Sequence, residues 1–371
     1  MLEIQKYLLD HTVDDLTTEF GVKVKEYDHY IGLNYDQIES PKMHPIIIEC
    51  RALILDRHTL AVAARAYDRF FNYGECPDYY TDFAIERSVV MQKADGSLML
   101  AWWNQWDNRW ELSTRSMIFA EGDHVLGGTF REHMLNAGNI TEQQFQDVFN
   151  AVADKNKTYV MEYVGPSNRI VTRYERDEWI VTGIRSICSD AGEYDSVQQI
   201  KDFVHVLNNN GVNVRAIDTY RMNSFEEIVA ATKELPLLDE GYVVWDIHTN
   251  KRVKIKSASY VAIHHLRGEG ALTLKRILTL VLGNDHEEYL GYYEEDRALF
   301  EPAIKTVADF KQMLEDQWEK VKHIEDQKEF ALQVKDLHGS GIFFAAKKTK
   351  QSPTHVFNTM EIQKQLKLFD L

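Results

Sequence analysis

The chain has 371 residues, 44% of them hydrophobic and 27% charged, with a formal net charge of −16 at pH 7. That length has room for two domains with sizeable cores, and no apolar run is long enough to cross a bilayer. The charge excludes a nonspecific nucleic-acid coat, which needs a broadly basic surface, but not an enzyme that gathers its lysines and arginines in one cleft.

Three cysteines (Cys50, Cys76 and Cys188) show no Cys-x-x-Cys spacing, which fits a reducing compartment and argues against a zinc site. The first residues carry early acids and no signal-peptide apolar region, so a cytoplasmic location is expected.

In chain order, strand patterns fall at 46–55, 60–71, 89–103, 110–116, 159–164, 179–186, 242–247 and 252–257. Each is rich in Val, Ile, Tyr, Phe or Trp and bounded by Gly, Asn, Asp or Pro. Three helices are marked by N-cap residues followed by Glu or Gln at the third helical position. Thr141-Glu-Gln-Gln144 precedes Phe145, Val148, Phe149 and Val152; Ser196-Val-Gln-Gln199 precedes Ile200, Phe203, Val204 and Leu207; Ser224-Phe-Glu-Glu227 opens the third. From about residue 266 the strand signals vanish and long helical patterns take over, including roughly 301–337 and 354–369. The expectation is an α+β chain: antiparallel sheets with flanking helices over 1–265, then an all-helical domain over 266–371. Lys347-Lys348-Thr349-Lys350 is a local basic cluster, and a solvated loop is the plain explanation of it.

Six places carry chemistry. Lys93-Ala-Asp-Gly-Ser-Leu98 follows an apolar run; Lys-x-Asp-Gly is also an ordinary surface turn, but a lysine there is a candidate nucleophile. Arg51 lies in the apolar run 46–55 and wants a partner, either Glu49 or a phosphate. Glu162 lies in the apolar run 159–164, where an acid is costly unless paired or used. Arg69-Phe-Phe-Asn72 and Glu240-Gly-Tyr-Val243 are the fourth and fifth. In Arg252-Val-Lys-Ile-Lys256, alternation sets Lys254 and Lys256 on one face, where they repel unless an anion or water lies between them. Singly, each of these has a structural explanation.

Together and in this order, they resemble the covalent nucleotidyltransferases, and more narrowly the RNA ligase 1 family of T-even-type phages. The likeness runs from about Glu49 to His264 through Glu49-Cys-Arg51, Phe70-Phe-Asn72, Lys93-Ala-Asp-Gly-Ser-Leu98, Pro166-Ser-Asn-Arg-Ile-Val171, Glu240-Gly-Tyr-Val243, Lys254-Ile-Lys-Ser257 and Tyr260. Two departures stand out: Ala94 occupies a position usually acidic in the family, and Arg69 and Arg115 stand where relatives have lysine.

The resemblance implies an adenylyltransferase domain followed by a helical domain with an RNA-specificity role. It implies an ATP-dependent RNA ligase that joins 5′-phosphate and 3′-hydroxyl ends through a lysyl-AMP, with Mg²⁺ as cofactor. Cleaved tRNA is the substrate by family analogy, an end-healing kinase/phosphatase a functional partner, and the host cytoplasm the location of a phage-encoded enzyme. Lys93 becomes the nucleophile; Lys254 and Lys256 assist it and neutralise the triphosphate. Arg51 and Arg69 hold nucleotide or phosphate, Phe71 stacks on the adenine, Glu162 meets the ribose, and Glu240 and Tyr260 serve the metal. Lys254, Lys256 and Mg²⁺ are then expected to depress the pKa of Lys93. The alternatives are a DNA ligase, a capping-type nucleotidyltransferase, and a non-catalytic RNA-binding module of the same fold.

Overall fold

The computed structural model describes residues 1–188, 193–267 and 272–371. Their contacts divide them into two units, Met1–Val261 and Ala262–Leu371. In the first unit the strands begin with β1 (Val22–Glu26), β2 (Tyr30–Tyr35), β3 (Leu53–Asp56), β4 (Val62–Arg65) and β5 (Phe71–Asn72). Next come β6 (Ser88–Gln92), β7 (Ser97–Asn104), β8 (Arg109–Thr114), β9 (Lys157–Val164) and β10 (Glu178–Ser186). Last are β11 (Val214–Ala216), β12 (Thr219–Tyr220), β13 (Gly241–Asp246) and β14 (Arg252–Lys256).

They form three sheets, in the orders β1-β2-β3-β4, β11-β10-β9-β7-β8 and β12-β6-β13-β14-β5. Pairing is antiparallel except between β10 and β11 and between β14 and β5. The sheet containing β9 is central and buried on both faces, which is why its strands read as nearly continuous apolar runs. On one face, the helix Glu142–Val152 presses Phe145 and Phe149 against Trp110 and Trp179, and the helix Val197–Asn209 adds Ile200, Val204 and Leu207. On the other, Leu100, Trp102 and Val160 meet Tyr30, Ile54 and Ala64 of the first sheet, while Val164 and Ile180 meet Met91 and Trp245 of the third.

The expected caps form: Thr141, Ser196 and Ser224 accept the N–H groups of Gln144, Gln199 and Glu227 at 3.3, 3.3 and 3.1 Å. Trp179 has the largest expected effect on this core. It is fully buried, its indole N–H donates to the Met134 carbonyl at 2.6 Å, and its ring fills the space above Gly138. Trp179→Ala is expected to cost about 3–5 kcal/mol in urea unfolding; a loss under 1 kcal/mol would show that this face repacks freely.

Several strand expectations need correction. The run 46–55 is not one strand: Pro45–Glu49 is a helical turn with proline in its first turn, Ala52 adopts φ +51°, and only Leu53–Asp56 extends. Periodicity cannot separate a buried turn of helix from a strand in so short an apolar run. The run 60–71 breaks between β4 and β5. The run 89–103 breaks at 93–96, where the chain leaves the third sheet for the central one. The hairpin β1–β2 and the short β11 and β12 lie outside the expected strands.

The second unit is helical in its described residues. The pattern at 301–337 resolves into Arg297–Val321 and Gln327–Val334, the latter capped by Asp326, which accepts the Glu329 N–H at 2.7 Å. The pattern at 354–369 resolves into Pro353–Asn358, Ile362–Leu366 and a short 3₁₀ turn. Phe300, Phe310, Phe330, Phe343 and Phe357 are buried among these helices. In the basic cluster, the Lys347 ammonium sits 4.1 Å from the centre of the Phe330 ring and bonds the Ile324 carbonyl, so that lysine is structural. No helix among the described residues is long and apolar enough to cross a membrane.

Candidate active site

Lys93 leaves the end of β6 on the crossover between two sheets. Its backbone N–H donates to the Gly241 carbonyl at 2.8 Å, and its ammonium donates to Glu240 Oε2 at 2.6 Å. Glu240 stands just before β13, opposite the end of β14, and is 4% exposed. Its other oxygen meets the Lys256 ammonium at 3.0 Å, so one buried carboxylate bridges two lysines.

The loop that carries Lys93 is pinned by Asp95, which is 3% exposed. Asp95 Oδ2 accepts the N–H groups of Val171 and Thr172 at 2.8 and 2.7 Å, and Oδ1 accepts the Tyr260 hydroxyl at 2.7 Å. The Asp95 N–H donates to the Tyr174 hydroxyl at 3.0 Å. Gly96 follows because the strands close in here: a Cβ on it would lie 2.2 Å from the Tyr163 carbonyl oxygen. Gly241 of β13, the segment 171–174 and Tyr260 therefore converge on this short loop.

A cavity of about 450 Å³ opens beside this loop, lined by Lys93, Glu162, Gln92, Arg51, Phe70 and Arg252 among others. Glu162 belongs to β9, where Met161 and Tyr163 turn into the helix-covered core and Glu162 to the opposite face. Burial pushes its carboxyl up to about 7, with Glu240 adding to that shift and Lys93 offsetting part of it. Burial, together with the charges of Lys93, Arg51 and Lys256, pulls the Lys254 amine down to about 7. Lys254 and Lys256 thus face Lys93, as the period-2 spacing of β14 requires.

Among the protein's own groups the balance at Lys93 runs opposite to the depression expected with Mg²⁺ bound. Burial works to lower its pKa, but Glu240 and Glu162 outweigh burial, and the amine titrates above the ordinary lysine value. The lysine that the site depresses is Lys254.

Arg51 sits in the turn before β3 rather than in a strand. Glu49 does not pair with it: that carboxylate accepts the backbone N–H groups of Glu3 and Ile4 at 3.1 and 3.0 Å. The Arg51 guanidinium lies 5.2 and 5.9 Å from the ring centres of Phe70 and Tyr67, with Nη1 buried and without a hydrogen-bond partner among the described residues. Phe71 does not reach the cavity. It is 2% exposed and packs edge-on against Tyr79 and Tyr80, whereas Phe70 lines the cavity with the Lys254 ammonium 4.9 Å from its ring centre. Arg69 is also outside the lining: it is buried, with its guanidinium 4.0 Å from the Tyr35 ring centre. Arg115 lies 4.6 Å from that same ring and does line the cavity.

Tyr260 has another occupation than metal binding. Its hydroxyl is given to Asp95, and its ring lies 5.5 Å from the Lys256 ammonium, so it positions both. Among the described residues no three His, Cys, Asp or Glu side chains cluster for a metal ion. A hard divalent cation with one protein carboxylate, completing its shell with phosphate oxygens and water, suits Glu240.

Arg252 lies outside the sequence-based site. It is 3% exposed, lines the cavity, and sits 3.9, 4.3 and 4.9 Å from the ring centres of Tyr67, Tyr194 and Trp245. The signal was available: alternation places it on the same face of β14 as Lys254 and Lys256.

A family model described as RNA ligase matches residues 49–260, more than half of the chain. A putative bifunctional polynucleotide kinase/RNA ligase of Autographa californica nuclear polyhedrosis virus is 29% identical over 82% of this chain and 43% of its own length. This chain therefore spans less than half of that relative. An RNA ligase of Rhodothermus phage RM378 is 23% identical, with 92% of each chain covered. Among solved structures, a Naegleria gruberi RNA ligase variant with ATP and Mn aligns at TM-score 0.41 and 18% identity over 53% of this chain and 56% of that one. An archaeal ATP-dependent RNA ligase aligns at TM-score 0.47 and 11% identity over 78% and 74%. Scores below 0.5 carry no weight for fold or function.

Proposed function

The chain belongs to the RNA ligase family, and from that premise we propose that it is an ATP-dependent RNA ligase that joins 5′-phosphate to 3′-hydroxyl ends through Lys93. The observation that carries this reading is the Lys93 amine held at a cavity wall between Glu240, Glu162 and Lys254.

Three displacements follow. The Lys93 ammonium first loses a proton; the neutral amine attacks the α-phosphorus of ATP, a P–N bond forms, the bond to pyrophosphate breaks, and the nitrogen gives up its second proton. An oxygen of an RNA 5′-phosphate then attacks the same phosphorus, the P–N bond breaks, and Lys93 recovers a proton. Finally a 3′-hydroxyl attacks the activated 5′-phosphate, loses its proton, and AMP leaves.

Each residue has a part. Glu240 keeps Lys93 protonated and aimed until ATP arrives. Displacing the Glu240 carboxylate from Lys93 would remove the largest charge that holds the amine protonated and let burial lower its pKa. Lys254 and Arg51 meet the phosphates, Glu162 the ribose hydroxyls, and Phe70 the base. Bound Mg²⁺, held through Glu240, supplies positive charge to the phosphates. Asp95 and Tyr260 hold the loop. The unit Ala262–Leu371 contributes choice among RNAs, and deleting it should alter preference among substrates but not labelling by ATP. The baculovirus relative's name pairs kinase with ligase, which supports a partner that restores 5′-phosphates, and cleaved tRNA fits as a substrate.

The test is incubation with α-labelled ATP and magnesium, denaturation, and a search for covalent label, followed by sealing assays on RNA and on nicked DNA. Label and RNA sealing are expected. Absence of label sinks the mechanism, and a preference for nicked DNA sinks the substrate.

Because Glu162 and Lys254 both titrate near 7, affinity for ATP is expected to fall as pH rises through about 7. Below that pH Lys254 is charged and Glu162 neutral; above it both lose a proton and the site becomes two charges more negative. Calorimetric titration of the unaltered protein with an ATP analogue whose α–β bridge is a methylene group, which cannot give up AMP, reads this with the Lys93 charge in place. An affinity that stays flat from about pH 6 to 8.5 would contradict it.

A further inference from the structure

The cavity does not end at its own rim. A smaller groove of about 80 Å³ shares Thr114, Arg115, Ser116 and Met117 with it and continues over the first sheet, lined by Lys23, Lys25, Asn34 and Ala52. In β1 the residues alternate Val-Lys-Val-Lys, so Val22 is buried in the core while Lys23 and Lys25 share the opposite face, about 7 Å apart. They stand opposite Asn34 and Gly32 of β2, neither of which covers them. Arg115 stands on the shared rim, bonded to Asn34 Oδ1 at 3.4 Å. Lys23 is paired at 2.8 Å with Asp36, and with a side chain 68% exposed it is held in place at little cost to a phosphate that replaces that carboxylate. In a chain of net charge −16, three cations in line with the nucleophile's cavity are an anomaly.

We infer that this groove carries the RNA strand whose 5′-phosphate enters the cavity, with Arg115, Lys25 and Lys23 meeting successive backbone phosphates. The inference rests on the ligase reading of the cavity. β1 is the outer strand of its sheet, and lysines there also discourage pairing with another chain. That protection works from either face of the strand, whereas these two side chains line the groove. Single-stranded nucleic acid suits a shallow charged track better than a duplex does, because one row of phosphates meets one row of cations.

The test is the double variant Lys23→Gln and Lys25→Gln, which keeps the strand polar. Labelling by ATP should equal that of the unaltered protein. Transfer of AMP to a long 5′-phosphorylated oligoribonucleotide should fall on the order of tenfold, while transfer to a 5′-phosphorylated dinucleotide, too short to reach the groove, should not change. Direct binding of the long RNA, which needs no catalysis, should show a salt slope reduced by about 1.4, the value for two phosphate contacts on a single strand. Unchanged RNA affinity, or an equal loss on long and short RNA, overturns the inference. Failure of either protein to take label from ATP, with the difference in RNA affinity intact, overturns the ligase reading and leaves the groove standing.

Discussion

Lys93→Ala is expected to abolish covalent labelling by α-labelled ATP while leaving the fold intact. The side chain is half-buried, its partner Glu240 keeps the Lys256 ammonium at 3.0 Å, and the loop is held by Asp95 rather than by Lys93 itself. No charge is therefore stranded, and the cost in stability should be small compared with breaking a wholly buried pair. Sealing of ordinary RNA ends should disappear with the label. Sealing of RNA supplied already adenylylated at its 5′ end should persist, because the last displacement does not use the amine. Label on another residue would show that the crossover lysine is not the nucleophile. Failure of the variant to seal pre-adenylylated RNA would show that Lys93 serves the last displacement too.

The second large effect belongs to Gly96. A methyl group there would lie 2.2 Å from the Tyr163 carbonyl oxygen and 2.8 Å from Val164 Cγ1, and the first of these is backbone of the central sheet, which cannot yield. The loop must move instead, at a cost of about 1–3 kcal/mol for the overpacking, and it takes Lys93 with it. A misplacement of about 1 Å at a reacting group costs about a hundredfold in rate, so Gly96→Ala should be folded but label about a hundredfold more slowly. Gly291→Ala, where an added methyl group meets nothing within 4 Å, is the matched control and should label at the normal rate. Equal rates for the two variants would mean that the loop's position does not limit the chemistry.

The residues gathered around the cavity were largely legible in the chain because their signals are local. Lys93-Ala-Asp-Gly96 is a contiguous string, the lysines of β14 are two apart, and the three helix caps each span four residues. Where the reading went astray, the deciding contact was distant. Arg51 read as part of a strand because a turn of buried helix and a strand look alike in so short an apolar run. Of the two partners open to Arg51, Glu49 or a phosphate, the nearer in sequence falls away, because the backbone N–H groups of Glu3 and Ile4, which no local pattern announces, claim that carboxylate.

Phe70 and Phe71 show the limit most sharply. A side chain changes face with every residue of an extended chain, so which of two adjacent rings meets the cavity depends on how β5 docks beside β14. The protonation of Lys93 is likewise a tertiary property. Glu240 lies 147 residues away in sequence and 2.6 Å away in space, and with Glu162 it holds above its ordinary value an amine that burial alone would depress. Sequence alone determined which residue types are present and which share a face, since alternation and capping are set within a few residues. The tertiary structure alone decided which acid meets which base, and so whether Lys93 rests charged, because Coulomb energy follows distance in space and not along the chain.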